Sequence, residues 1–511
     1  MLRSAVGARR IGMGLGMTNF KAIFLGGTAS LAVASAASAA DLPTKKAAPA
    51  AEYVKVCTTF GAGYFTIPGS DTCLKIGGVV RYEANVRSNA PIGVANQFGY
   101  NLAGQVYSRD AFFTRGRAYL NVDARSQTDY GDLRAYFSFR DTNDSLPPGP
   151  FGGGKIAFTP PSPIGSKISA GYFQGLTPAQ AILDQGYFHW AGLQGGIAHS
   201  FFDFYTHGYE LQSAAMGVSD QILPMFGYTA KFGGGFSASV SAEDPRARQI
   251  GDSTADVGAN NNIPKNATTA AYLTYGAIGM PEWVGNLRYD GGWGSAQISG
   301  ALHEVNSSPL FDTVPGTLPV GFKPSTVWGY AVNGGVKVKL DALAPGDGAT
   351  LQVSYDQGAM DYVNALNYWS GTSNVYSKDQ SVGVPVNDAF VLPNGSIALS
   401  KAFGVFAGLQ HYWAPSVRSS LFGSYLQISN PDAAQNLSAG ADNARVWDVG
   451  VNAIWSPVKA LDIGAEAVYT NLRLSGLNTL KGTLPNGASL TPYIPSNSND
   501  LRARLRVQMT F

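Results

Sequence analysis

The chain has 511 residues, of which 14% are charged and 12% aromatic, with 62 glycines and a mean hydropathy close to zero. Beyond the first 40 residues no apolar run is long enough to cross a bilayer as a helix, which excludes a helical membrane protein. The formal charge of +2 leaves no global basic surface for nucleic acid. Many glycines and tyrosines with few charges instead suit a sheet whose hydrophobicity is hidden in alternation.

In chain order, Arg3, Arg9, Arg10 and Lys21 precede "AIFLGGTASLAVASAASAA", which ends in small residues before Asp41. A basic stretch, an interrupted apolar stretch and a small-residue end read as an export signal over 1–40, cleaved at Ala39 or Ala40. Met1 and Met17 both qualify as its start. Residues 1–40 hold four basic and no acidic residues, so cleavage takes the charge from +2 to −2. Residues 41–72 read as a periplasmic N-terminal segment that opens with a flexible lead-in, "DLPTKKAAPAAE". It contains Cys57 and, just beyond it, Cys73 follows; these are the two cysteines of the chain. In an oxidising compartment they are expected to pair as a disulfide. Zinc is the competing reading, but two cysteines with no histidine close in sequence make a poor site. The five histidines, at 189, 199, 207, 303 and 411, fall in no recognisable ligand spacing, so no metal and no cofactor is expected.

From residue 73 to 511 the pattern is that of strands, about sixteen of them. "LKIGGVVRYEANVR" sets Ile76, Val80, Tyr82, Ala84 and Val86 on one face, against Lys75, Arg81, Glu83, Asn85 and Arg87. "FTRGRAYLNVDAR" opposes Ala118, Leu120, Val122 and Ala124 to Arg115, Arg117, Asn121, Asp123 and Arg125. "DLRAYFSFR" opposes Leu133, Ala135, Phe137 and Phe139 to Arg134, Ser138 and Arg140. Short turns such as "SQTDYG", "FGGGF", "DGGW", "LDALAPGDGA", "WAPS" and "WSPVK" alternate with long Gly, Pro, Asn and Ser-rich connections. A compact soluble domain does not favour so many long loops; a barrel with one tight rim and one long-looped rim does. Aromatics beside the short turns (Phe232, Phe236, Tyr289, Trp293, Tyr412, Trp413, Trp455) read as an interfacial girdle. The strands at "GYFHWAGLQGGIAHS" and before "FAGLQHYW" are the least distinct.

The chain ends on "LRARLRVQMTF", where Leu501, Ala503, Leu505, Val507, Met509 and Phe511 share one face and Arg502, Arg504 and Arg506 the other. In a closed barrel the last strand pairs with the first. Ten arginines (81, 87, 115, 117, 125, 134, 140, 502, 504 and 506) then gather on one wall. Aimed at lipid, each costs roughly 2–4 kcal/mol near the midplane; the interior is the expected place for them.

Ordered motifs along the chain carry a family resemblance. "YVKVCTTFGAGYFTIPGSDTCLKIGG", "GRAYLNVDARSQTDYGDLRAYF", "HWAGLQGGIAHSFFDFY", "NLRYDGGWGSAQISGALHEV", "KVKLDALAPGDGATLQVSYDQGA" and "VWDVGVNAIWSPVKALDIGAEAVYT" resemble the mature porins of alpha-proteobacteria, the family of the major Brucella and rhizobial porins. The resemblance covers nearly all of residues 53–511. It implies an all-β, sixteen-stranded antiparallel transmembrane barrel in the bacterial outer membrane, usually trimeric. Its expected partners are outer-membrane lipid, the barrel-assembly machinery, and small hydrophilic solutes and ions, with no nucleic acid. It also implies that the terminal Phe511 is an assembly signal. The loop after the fifth strand, about 200–222, is implied to fold back as a constriction that sets the acids Asp203, Glu210 and Asp220 across from the arginine wall. The chain departs from the pattern in the Pro/Gly-rich loops 144–166 and 361–397.

Passive diffusion through a polar lumen is the expected function, and a channel specific for anions or sugars is the alternative. A hydrolase reading of "AHSFFD" is not supported. It needs His199, Ser200 and Asp203 within hydrogen-bond reach, yet neighbours on a strand point to opposite faces. The protein is therefore not expected to be an enzyme.

Overall fold

A computed structural model describes residues 55–87, 112–145, 182–211, 217–250, 271–272, 275–276, 279–307, 326–363, 373–376, 381–384, 387–392, 396–435, 443–475, 482–483, 489–490 and 497–511. The expected export signal over 1–40, the lead-in to residue 52, most of loop 144–166 and about half of loop 361–397 lie outside this set.

Sixteen long strands form the molecule. They are β1 Cys73–Arg87, β2 Phe112–Thr128, β3 Gly131–Asp144, β4 Ile182–Trp190, β5 Leu193–His199, β6 Ile222–Gly233, β7 Phe236–Glu243 and β8 Glu282–Gly291. The second half comprises β9 Gly294–Asn306, β10 Thr326–Lys339, β11 Gly348–Gln357, β12 Lys401–Ala414, β13 Val417–Ser429, β14 Asn443–Val458, β15 Leu461–Ser475 and β16 Asn497–Thr510. Each pairs antiparallel with its neighbour in sequence. β16 closes the circle on β1 in the register Arg502↔Arg87, Arg504↔Asn85 and Arg506↔Glu83. Closure leaves no edge strand, which satisfies every backbone group inside a membrane.

The alternation is inverted relative to a soluble sheet. Ile76, Val80, Tyr82, Leu120, Phe137, Leu287, Ile298, Leu351, Leu421, Val451, Leu501 and Leu505 are exposed on the outside. Their polar neighbours Gln297, Ser299, Asn333, Gln352, Ser354, Asn452 and Glu466 are buried inside. Such an exterior is stable only against hydrocarbon. Aromatic girdles flank the apolar band. Phe236 packs on Tyr289, whose ring stacks on Trp293 at 5.5 Å, and Trp413 and Trp455 stand exposed at the same rim. Trp283, Trp328 and Trp447 are exposed towards the other.

The two indistinct regions resolve clearly. Trp190 and Leu193 are the ends of a tight hairpin whose turn residues Ala191 and Gly192 both have positive φ, 49° and 89°. That is the primed-turn geometry whose twist matches the flanking strands. β12 simply begins earlier than its aromatic stretch, at Lys401. One turn is displaced: β14 runs through "WSPV" to Val458 with a register irregularity after Trp455, and the turn is Lys459 and Ala460. The missing N–H of Pro457 produces the irregularity without ending the strand, as proline does at bulges.

At the short-turn rim Lys55–Val56 and Phe65–Thr66 form a small hairpin that extends β1. Cys57 and Cys73 are disulfide-bonded, with Cα atoms 5.9 Å apart, and Tyr64 beside them donates to Asp123 at 2.9 Å. Non-reduced, folded protein is expected to show no free thiol, and reduction to add two hydrogens by intact mass. Replacing both cysteines with serine is expected to cost about 3 kcal/mol of stability.

Phe511 continues the seam beyond β16. Its N–H donates to Gly78 O at 3.1 Å, Gly78 N–H donates to its carbonyl at 3.0 Å, and its ring lies over Gly78 where a Cβ would meet it at 2.6 Å. Deleting Phe511 removes two seam hydrogen bonds, about 2 kcal/mol by the usual net worth of such bonds. The expected result is loss of the heat-modifiable folded form from membranes with no change of ion selectivity in the channels that do assemble. Normal levels of folded protein in the deletion would contradict an assembly role.

Candidate functional site: the barrel interior and its inner loop

Residues 200–221 connect β5 to β6, and their described parts, 200–211 and 217–221, run along the inner wall. Their neck is closed by Ser200 N–H donating to Gln221 O at 3.0 Å. The carbonyl of Phe202 accepts from Ser299 of β9 at 2.8 Å and from Asn333 of β10 at 3.4 Å. Tyr205 N–H donates to Gln352 of β11, and the Tyr209 hydroxyl bonds Thr350 at 2.9 Å. Further on, Asn452 of β14 donates to Tyr209 O at 2.6 Å, and Leu211 N–H donates to Glu466 of β15 at 2.5 Å. The loop thus touches the interior face of successive strands from β9 to β15, and Leu211 reaches β16. There Arg504 donates to Leu211 O at 2.9 Å, and Arg506 donates to the same carbonyl.

Polar wall side chains take the loop's backbone groups, which would otherwise be stranded away from water. Aromatic residues do the packing. Tyr205 stacks on Phe406 of β12 at 4.1 Å and on Tyr209 at 5.7 Å, and Phe202 meets Tyr362 edge-on at 4.6 Å. The wall makes room by omitting side chains. A Cβ on Gly404 would lie 2.4 Å from the Cα of Gly217, and one on Gly335 would strike the Phe204 ring. Only glycine allows backbones to approach so closely.

The loop acids are each engaged locally. Asp203 accepts from Gln221 N–H at 2.8 Å and faces the guanidinium of Arg248 at 3.9 Å. Glu210 bonds the Tyr205 hydroxyl and His207. Asp220 faces His199 and His207, each at 3.3 Å. They do not form a free acidic row facing the arginines: burying a carboxylate in a packed loop requires a partner. Burial pushes the Asp203 carboxyl up to about 6 even though Arg248 opposes the shift. Ser200 donates to Glu243 rather than to His199, so "AHSFFD" does not assemble a nucleophile and base.

Carboxylates and other polar groups lie among the arginines. Arg504 and Arg506 converge on Glu83 at 3.2 and 2.6 Å, with Arg81 at 3.9 Å. Arg504 also donates to Asn85, and Arg81 to Gln508. Arg117 donates to Thr142 and Tyr119. Arg140 pairs with Asp184 at 3.2 Å, and Arg502 lies 3.5 Å from Asp500. Arg125 and Arg134 share Asp123, three to four residues from the Asp129–Tyr130 turn, at the rim that carries the disulfide hairpin. Arg115 is partly buried on the same face of β2 and takes part in this polar network. Arg87 pairs with Arg502 through the strand register, and its side chain is outside the described set.

One central residue left no mark in the sequence reading. Arg248, just after β7, is fully buried. It lies 3.8 Å from Glu243 and 3.4 Å from Asp361, donates to Ser219, and sits 3.8 Å over the Tyr362 ring. Burial alone would lower its pKa; Tyr362 and the surrounding carboxylates outweigh that and raise it, so it stays charged. It ties the loop after β7, the turn after β11 and both limbs of the inner loop together. Its only sequence signal is a charge-rich "EDPRAR" amid Gly and Ser-rich chain.

An apolar exterior, paired aromatic girdles, a polar interior and a loop folded within define a transmembrane β-barrel of the outer-membrane type. A family profile described as Porin subfamily matches residues 41–484, and the chain belongs to that family. Membership places the barrel in the bacterial outer membrane. Among curated relatives, porin Omp2b of Brucella abortus strain 2308 and of Brucella suis biovar 1 are each 29% identical over 283 residues, 54% of this chain. The match spans 64% of those relatives' length. Among solved structures, the outer-membrane channel DcaP of Acinetobacter baumannii aligns with a TM-score of 0.53 at 15% identity, over 86% of this chain and 97% of that one. That likeness is one of fold.

Proposed function

We propose that the barrel is a passive, water-filled diffusion channel for small hydrophilic solutes and ions, with residues 200–221 as its constriction. The observation that carries this reading is the inner loop lying on the polar wall of a barrel whose exterior is apolar. A solute entering such a lumen keeps its hydration and avoids hydrocarbon, while charged side chains bias which ions pass. Arg81, Arg115, Arg117, Arg140, Arg502, Arg504 and Arg506 line the basic wall, and Arg125 and Arg134 ring the short-turn mouth. The protein assembles as a homotrimer, as the family resemblance implies. Phe511 is read by the barrel-assembly machinery, and the outer band contacts outer-membrane lipid. It carries out no covalent chemistry.

Planar-bilayer recording tests the reading. The expected result is stepwise, ohmic conductance that does not saturate with solute and is slowed by neutral sugars in order of size. Saturation by one sugar or anion would favour a substrate-specific channel, and absence of conductance would overturn both. Chemical cross-linking of the native protein is expected to give a trimer.

A further inference from the structure

The neck of the inner loop holds three chemically apt side chains that the sequence scatters. His199 ends β5, Asp203 lies four residues on, and Asp220 sits on the returning limb. One ligand-capable atom of each lies within 4.8 Å of the others. Every one of these residues has its second polar atom held from outside the cluster. Asp203 Oδ2 accepts from Gln221 N–H at 2.8 Å, Asp220 Oδ2 faces His207 at 3.3 Å, and His199 Nε2 lies 3.4 Å from the Gln185 amide. The atoms left over are His199 Nδ1, Asp203 Oδ1 and Asp220 Oδ1. All three are shielded from solvent and make no hydrogen bond of good geometry among the described residues; His199 Nδ1 and Asp220 Oδ1 face each other at 3.3 Å, and Asp203 Oδ1 lies 3.9 Å from the Arg248 guanidinium. Asp203 is the deepest, with its side chain 1% exposed.

From this convergence we propose that His199, Asp203 and Asp220 bind one divalent transition-metal ion of the zinc class, which staples the two limbs of the inner loop at its neck. Three facts support it. The His199 Nδ1 to Asp220 Oδ1 distance is 3.3 Å, close to the spacing of about 3.4 Å between tetrahedral ligands held at roughly 2.1 Å from zinc. The Gln221 N–H on Asp203 Oδ2 is the kind of outer-shell contact that orients a metal ligand. Five carboxylates (Asp203, Glu210, Asp220, Glu243, Asp361) surround one guanidinium and two imidazoles, a negative excess that a dication offsets. The mixed imidazole and carboxylate set selects a transition metal over Ca²⁺ or Mg²⁺. The side chains of His199 and Asp220 are 39% and 21% exposed, which leaves an approach to the shielded ligand atoms.

The test uses the full folded protein, purified in detergent and stripped with EDTA. Zn²⁺ titration calorimetry is expected to show one ion per chain. H199A and D220N should each weaken binding by about tenfold or more, while H411A, at a remote histidine, should bind like wild type. X-ray absorption of the wild-type zinc form needs no variant and is expected to show a nitrogen and oxygen shell with one imidazole. In bilayers Zn²⁺ should alter the single-channel current of wild type, reversibly with EDTA, and not that of H199A. No saturable uptake, equal binding in H199A and D220N, loss of binding in H411A, or equal affinity for Ca²⁺ would each overturn the proposal. Binding is read independently of conductance, so the site and the channel reading fail separately.

Discussion

Replacing Arg504 and Arg506 together with glutamine is expected to move the zero-current potential in a salt gradient towards cations and to increase conductance. Both guanidiniums touch Glu83, whose side chain is 1% exposed, and both hold Leu211 O in the inner loop. Removing them leaves Glu83 with Arg81 at 3.9 Å and releases Leu211 from β16. Breaking a buried ion pair from one side costs about 3–5 kcal/mol, chiefly because a charge is stranded. The double variant should therefore also lose its heat-resistant form at lower temperature. Adding E83Q to it should restore much of that stability while leaving conductance high, since the stranded charge is gone and Leu211 remains free of β16. E83Q alone should shift selectivity towards anions. Unchanged potentials in both R504Q/R506Q and E83Q would remove the arginine wall from any account of selectivity.

The second large effect is expected from Gly404→Val. Gly404 lies on the inner face of β12, and a Cβ there meets the Cα of Gly217 at 2.4 Å and its carbonyl oxygen at 2.6 Å. Both are backbone atoms in the returning limb, so no rotamer change relieves the clash. The limb must move off the wall, at a cost of about 1–3 kcal/mol for overpacking. Bilayer recordings should show a smaller cut-off for neutral sugars and a noisier open state, with the barrel itself still folded. Gly334→Ala is the control: it faces open space and should behave like wild type. A G404V channel with wild-type sugar cut-off would mean that the inner loop does not set the constriction.

Much of the barrel was legible because strands print a period of two on the sequence. The faces of "LRARLRVQMTF" and "RYEANVR" could be assigned by counting, and the cost of arginine in lipid decided which face pointed inward. Turn chemistry located most short connections. It misplaced the β14–β15 turn because Pro457 reads as a breaker, whereas hydrogen bonds on either side of it carried the strand to Val458. The beginning of the inner loop at Ser200 followed from the family resemblance, and its path did not. That path depends on which wall residues offer a donor, an acceptor or a bare backbone opposite each loop residue. Gln297, Thr350, Gly404, Asn452 and Glu466 are spread over some 170 positions and meet only when the sheet closes.

Charge pairing shows the same division. Composition and alternation led to the expectation that arginines from β1, β2, β3 and β16 share one wall, since face and neighbour follow from periodicity and closure. Tertiary structure alone decided that Glu83, Asp123, Asp184 and Asp500 are interleaved with them, and that Asp203, Glu210 and Asp220 face partners beside them rather than the opposite wall. Histidines with no ligand spacing along the chain can still converge, as His199 does with Asp203 and Asp220 across the loop neck. The physical reason is range. Periodicity and propensity act between residues a few positions apart, whereas a buried charge finds its partner among whatever the completed fold brings within about 4 Å.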